Sequence, residues 1–286
     1  MTPKPERVTP GLLRARPLPE PGSSKLDRGD VLVIGGARTT PGAAALAGLA
    51  ALRVGAGRLT LAVAGSVATS LAVALPEAAV IGLPEDDSGC VLGSAAGNLE
   101  GRVESGCILF GPGLDDLDET SSLLRALGGM IGDEATVVLD AYALGALAKD
   151  PSLGEPFAGR LAITPNPTEA GILLGRDIGD LTDDVSELAR RFQAVVSCQS
   201  TIANPTGGVF VVEAGGPGLG TSGSGDVQSG ALAGLAARGA ELTDAALWST
   251  YLHAEAGDRL AQRIGALGYL ARELLDELPP ILAQLS

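Results

Sequence analysis

Aromatic side chains are nearly missing from this chain: Phe, Tyr and Trp together make up 3% of 286 residues. Any core must therefore be built from Ala, Val, Leu and Ile, and a hydrophobic content of 45% supplies enough of them to fold. Lysine is scarce as well, with only Lys4, Lys25 and Lys149. A phosphate ligand would thus be held mainly by backbone N–H groups, arginines or a metal. The net charge is −14, and such a surface repels duplex nucleic acid and anionic membrane, so neither is expected as a partner. His253 is the single histidine, so a His/Cys metal cluster cannot be assembled and Ser-His-Asp catalysis is not supported. Cys90, Cys107 and Cys198 are odd in number and far apart, and the last two lie in apolar runs. They are expected as reduced, buried thiols rather than disulfides. The start, MTPKPERVTPGLL, is polar and proline-rich, and no long uninterrupted apolar run follows. A cytoplasmic, soluble protein is expected.

What is present is an alternation. After a proline-rich stretch (1–28), expected as an extended arm with a short helical turn after Thr9-Pro10, short apolar runs recur at DVLVI (30–34), RLTLAV (58–63), CILF (107–110), TVVLD (136–140), LAIT (161–164) and AVVSC (194–198). Helical stretches separate most of them. The first helix is signalled by Thr40-Pro41, an N-cap followed by proline at the first helical position. Strands alternating with helices imply an α/β fold with a largely parallel sheet covered on both faces. Ligands of such sheets sit beyond the carboxyl ends of the strands. Those ends carry Gly35-Gly36, Gly111–Gly113, Asp140 and Thr164–Pro167, which should converge on one rim. The stretch 201–214 reads as a hairpin turning at Asn204–Gly208, and helix dominates beyond it. One domain, 29–286, is expected after the arm.

Residues 220–239, GTSGSGDVQSGALAGLAARG, place Asp226 behind a glycine loop at the start of a helix. Helix N-termini expose unpaired N–H groups and attract anions. The loop would then cradle a phosphate without lysine, and Asp226 would take a proton from an attacking hydroxyl. An Asp near a helix start is equally an ordinary cap. From this stretch alone both readings stand. Walker A and G-x-G-x-x-G patterns are not met. In TPNPTE (164–169), Asn166 and Glu169 have capping-box spacing, which explains every residue structurally, although a strand end just before Asn166 puts it on the ligand rim. Asp140 closes a strand, where acids bind ligand polar groups or cap helices. His253 sits mid-helix and suits packing or a hydrogen bond.

Taken together, VLVIGGARTTPGAAALAGLAALRVGAG (31–57), FGPGL (110–114), VVLDAYAL (137–144), ITPNPTEAGILLG (163–175), GGPGLGTSGSGDVQSGALAGL (215–235) and YLHAEAGDRLA (251–261) resemble, in order, the ADP/ATP-dependent NAD(P)H-hydrate dehydratases of the ribokinase-like fold. The resemblance implies a three-layer α/β/α sandwich and a metabolite-repair lyase. With ATP or ADP and a divalent metal such as Mg2+, it would phosphorylate the hydroxyl of hydrated NADH or NADPH (NADHX, NADPHX) and lose phosphate to restore the dinucleotide. By similarity Asp226 is the base, and the N–H groups of Gly223, Ser224, Gly225 and Asp226 form an anion hole. Ala43, Gly113, Asn166 and Asp226 line the hydrate site. Ser197, Cys198, Gln199, Ser200, Thr201 and Gly225 face the adenine nucleotide. A homo-oligomer, favoured as a tetramer, is implied too. The family often has His in place of Asn166, Lys-Gly-Ala in place of Ser197-Cys198-Gln199, and Asp and Asn in place of Tyr142 and Gly145. Loss of the lysine removes a phosphate contact. A small-molecule kinase of the same fold, or a catalytically silent nucleotide binder, are the alternatives.

Overall fold

Successive residues of each central strand face opposite layers, as the period of two in a pleated strand requires. The structure, a computed structural model describing residues 4–104 and 106–285, forms one ten-stranded sheet among those residues. Its strands are β1 (Glu6–Val8), β2 (Asp30–Ile34), β3 (Arg58–Ala64), β4 (Ala78–Leu83), β5 (Cys107–Phe110), β6 (Thr136–Leu139), β7 (Leu161–Ile163), β8 (Ala194–Cys198), β9 (Thr201–Ala203) and β10 (Val209–Val212). Its helices are α1 (Pro10–Ala15), α2 (Pro41–Arg53), α3 (Gly65–Ala74), α4 (Leu117–Gly128), α5 (Tyr142–Lys149), α6 (Pro167–Leu174), α7 (Leu181–Phe192), α8 (Ser224–Ala237), α9 (Leu242–Arg263) and α10 (Ala271–Leu285).

The order across the sheet is β1-β10-β9-β8-β7-β6-β5-β2-β3-β4, and every pairing is parallel except those of β9 with β8 and β10. Val31, Val33, Cys107 and Leu109 point into one buried layer with α2, α8, α9 and α10. Leu32, Ile34, Ile108 and Phe110 point into the other with α4, α5, α6 and α7. The result is a three-layer α/β/α sandwich with its core on both faces of the sheet. Cys107 and Cys198 are buried free thiols within strands, and Cys90 is a half-buried one.

Residues 4–28, read from sequence as an extended arm, lie against this body. Glu6–Val8 pairs with Phe210–Val212 as the edge strand, α1 is capped by the Thr9 hydroxyl, and Trp248 Nε1 donates to Arg16 O at 2.9 Å. Thr40 occupies the N-cap of α2, yet its hydroxyl caps nothing there and instead donates to Gly113 O at 2.8 Å. That bond ties the start of α2 to the turn after β5, and so closes the rim on this side.

Candidate active site

The carboxyl ends of β2, β5, β6 and β7 do converge. Gly36 N donates to Pro112 O at 2.8 Å and Ala37 N to Gly113 O at 2.7 Å, stitching the β2 end to the β5 end. Asp140 N donates to Phe110 O at 3.1 Å, and Thr164 N to Leu139 O at 3.2 Å. A side chain on Gly111 would strike Asp140 O, so only glycine fits where those turns cross. One backbone position on this rim is strained: Ala141, between β6 and α5, has φ 52° and ψ −122°. A non-glycine residue held there costs about 1–3 kcal/mol, and such positions cluster at functional sites.

Helix α8 supplies the remaining wall. Its N-cap is Gly223, left-handed at φ 88°, with no side-chain capping bond. Asp226 is therefore the third residue of the helix and not its cap. Ser224 N donates to Thr221 O at 3.2 Å, whereas the N–H groups of Gly223, Gly225 and Asp226 have no partner among the described residues. A Cβ on Gly225 would meet nothing within 4 Å, and Gly225 lines the cleft. A Cβ on Gly223 would meet Leu46 of α2 at 2.6 Å, and one on Gly113 would meet Ala43 at 3.1 Å. Ala43, Gly113, Gly223 and Asp226 thus share one corner.

The cleft beside this corner has a volume of about 530 Å³. Asn166, Gln199, Ser200, Ser224 and Gly225 line it, together with Gln228, Thr250, His253 and the 214–220 loop. No lysine or arginine is among its lining residues. Ser197, Cys198 and Thr201, by contrast, are buried. Ser197 Oγ lies 2.9 Å from Thr250 Oγ1, and Gln228 Nε2 bonds both hydroxyls at 3.1 and 3.2 Å. That network forms the cleft floor. It was not legible in the sequence, since its members come from β8, α8 and α9 and carry no motif. Gln199, left-handed at φ 51°, turns from β8 into β9 and does reach the cleft.

Burial governs the charges here. Burial and the neighbouring Asp140 push the Asp226 carboxyl up to about 7. Burial also raises Asp140, against the pull of the Ser229 and Thr164 hydroxyls and the Ala141 N–H. Glu169 is raised to about 7 by burial and by Asp140, while the Asn166 N–H it accepts at 2.8 Å pulls the other way. The capping box of Asn166 and Glu169 is complete. His253 Nε2 lies 2.8 Å from Ser224 Oγ, and burial pushes the ring down to about 4, so it is uncharged at neutral pH.

A largely parallel sheet between two helical layers, with the N-terminus of α8 and the Asp226 carboxylate at its carboxyl rim, has the ribokinase-like fold of the carbohydrate-kinase-like proteins. Phosphofructokinase-2 from Escherichia coli shares this fold at a TM-score of 0.60 and 15% identity, with 89% of this chain and 99% of that one covered. The family model described as NAD(P)H-hydrate dehydratase matches residues 31–280, and the chain belongs to that family. It is 42% identical to the ADP-dependent (S)-NAD(P)H-hydrate dehydratase of Xanthomonas campestris, over 99% of this chain and 98% of that protein. It is 38% identical to the bifunctional NAD(P)H-hydrate repair enzyme Nnr of Moorella thermoacetica, about half of whose length it spans. Among solved structures, the ADP/ATP-dependent NAD(P)H-hydrate dehydratase of Bacillus subtilis co-crystallised with ATP and Mg2+ superposes at a TM-score of 0.81, with 26% identity and 98% and 99% of the two chains covered.

Proposed function

We propose that this protein dehydrates the hydrates of NADH and NADPH at the expense of ATP or ADP. The observation that carries the reading is Asp226: a carboxylate raised to about 7, beside partnerless N–H groups of Gly223, Gly225 and Asp226 itself, in a chain of this family. The ionised Asp226 takes the proton of the substrate hydroxyl. The hydroxyl oxygen then bonds to the terminal phosphorus of the nucleotide, and the bond from that phosphorus to the bridging oxygen breaks. The shortened nucleotide leaves. The new phosphate ester next loses phosphate, its C–O electrons departing with the leaving group, and an adjacent C–H gives its proton to the departing phosphate as the ring double bond closes. The free amides at the start of α8 stabilise the charge on the transferred phosphoryl group, as the helix dipole favours. Ala43, Gly113 and Asn166 hold the hydrate, and Gln199, Ser200 and Gly225, which share the cleft with Asn166, hold the nucleotide.

Among the described residues no three His, Cys, Asp or Glu side chains are grouped as a metal site. Hard carboxylate oxygens are nevertheless present in Asp140 and Asp226, which suits Mg2+ that takes one or two carboxylates plus substrate phosphates. Asp140 would hold it, leaving Asp226 free as the base, and when bound it would neutralise phosphate charge that this cation-free cleft leaves unbalanced. No described helix is long and apolar enough to cross a membrane. A cytoplasmic place and a homo-oligomer complete the reading. For the oligomer we assign the face of α3, which carries no charged residue and buries none of its own, with Val73 80% exposed beside the edge strand β4.

The test is incubation with NADH hydrate, Mg2+ and ATP or ADP, following the return of reduced-nicotinamide absorbance. Return with either nucleotide is expected. A stable phosphorylated alcohol would instead make it a kinase, and binding without turnover a silent nucleotide binder.

A further inference from the structure

The segment YLHAEAGDRLA (251–261) lies within α9, and of its residues only His253 has entered the site so far. Thr250, Ala254 and Asp258 follow one another at intervals of four, with His253 and Gly257 beside them, so all five share one helical face. Thr250 belongs to the cleft floor, and His253 reaches Ser224 at the start of α8. The other three meet the 214–220 loop, which joins β10 to α8 and lines the cleft. Asp258 Oδ2 accepts the N–H of Gly215 at 3.0 Å. Gly215 has φ 96°, where glycine is favoured, and a Cβ there would meet Ala254 at 3.3 Å. A Cβ on Gly257 would meet Leu219 at 2.7 Å, so Leu219 rests where the helix has no side chain. The loop, AGGPGLG, has no charged residue of its own. Among the described residues its other backbone bonds are internal, Leu219 N to Gly216 O and Gly220 N to Pro217 O, both at 3.1 Å.

We propose that Asp258 is a positioning residue for the nucleotide: through Gly215 it fixes the 214–220 loop as a wall of the cleft that takes ATP or ADP. This rests on the dehydratase reading for the place of the nucleotide, at Gln199, Ser200 and Gly225 of the same cleft. Asp258 is not itself among the lining residues, so it acts only through the loop. A glycine-rich loop has many conformations open to it, and a carboxylate accepting a backbone N–H makes one of the stronger hydrogen bonds that can select among them. Released from that bond, the loop spends less time in the shape that fits the ligand, and the apparent dissociation constant rises as the competent fraction falls. The hydrate corner is held otherwise. Gly113 O accepts from Ala37 N and from the Thr40 hydroxyl, and Asp258 takes no part there.

The experiment compares the wild-type protein with Asp258→Ala and Asp258→Asn, the second of which keeps an acceptor oxygen at the same reach. Equilibrium binding of ATP and of ADP is measured without the hydrate, the KM of nucleotide and of NADH hydrate with it, and amide hydrogen exchange across 214–220 by mass spectrometry. Loss of one charge-assisted hydrogen bond is read as about tenfold. Asp258→Ala is expected to weaken nucleotide binding and raise the nucleotide KM by about that factor, with faster exchange in the loop. The KM of the hydrate should stay within about twofold. Asp258→Asn should recover most of the nucleotide affinity and the slow exchange. Should Asp258→Ala not fold, Asp258→Ser, one bond too short to reach Gly215, serves the same comparison. Unchanged nucleotide binding, an equal loss for the hydrate, or no recovery in Asp258→Asn would overturn the assignment of Asp258. Wild-type protein that binds nucleotide without turning over the hydrate would overturn the dehydratase reading, while the binding and exchange series still decides the role of Asp258.

Discussion

Asp226, Glu169 and His253 lie within one site, but pH acts on each differently. Asp226 must be ionised to accept a proton, so turnover should rise with pH through about 7 and level above it. Glu169 is also raised to about 7, but it is spent on the capping box of α6. The expected result is that Glu169→Gln keeps the acid limb in the kcat profile, whereas Asp226→Asn lowers kcat by about 10²–10⁴. His253 is held near 4, so His253→Asn should lower turnover by loosening Ser224 and leave the limb where it is. A limb that vanished in His253→Asn would remove Asp226 from the role of base. Asp226 also has a stability signature. Its folded pKa lies above the unfolded value, so between about pH 4 and 7 the unfolded state has released a proton that the folded state keeps, and stability falls as pH rises. Asp226→Asn should therefore melt higher than wild type at pH 8 and no higher at pH 4, which calorimetry at both values would check.

Helix α8 is held in place by what it lacks. A side chain on Gly230 would strike the carbonyl of Ala47, and one on Gly234 would reach Ala51 at 2.6 Å, so α8 and α2 meet backbone to backbone. Adding bulk in such a seam costs about 1–3 kcal/mol. Gly230→Val is expected to lower the melting temperature by several degrees, at about 2–4 °C per kcal/mol. It should also raise the KM for nucleotide, because the same helix carries Gly225 and Asp226. At this scale the sequence was informative. Runs of apolar residues marked every strand from β2 to β8 except β4, and Asn166-Pro167-Thr168-Glu169 announced its own cap. The start of α8 was ambiguous because Asp226 is chemically a good cap, and only the left-handed Gly223 at the N-cap separates the two uses. The 197–201 strand end was legible as a strand but not as floor and rim. Alternation along β8 and the bend at Gln199 decide which of its residues reach the cleft, and no local pattern encodes that.

For the molecule as a whole, the sheet ends in two unlike edges. β1 brings Glu6 and Arg7 to one edge, charges that discourage further pairing. β4 closes the other with AAVIGL beside the uncharged α3. Val73→Asp is expected to shift the assembly to monomers in multi-angle light scattering without changing the fold by circular dichroism. Wild-type protein that is already monomeric at micromolar concentration would remove this face as an interface. Overall architecture followed from alternation alone. The docking of residues 6–16 did not, because a short strand added at an edge and a tryptophan bonded to a distant carbonyl depend on contacts more than 200 residues apart.

The solitary imidazole, buried and joined to the hydroxyl at the mouth of α8, also makes the protein its own gauge. In a proton magnetic-resonance spectrum it gives one set of imidazole ring signals, with no assignment among histidines to make. An anion arriving at that helix end would register there directly, so occupancy of the phosphate cradle can be followed separately from any chemistry that comes after.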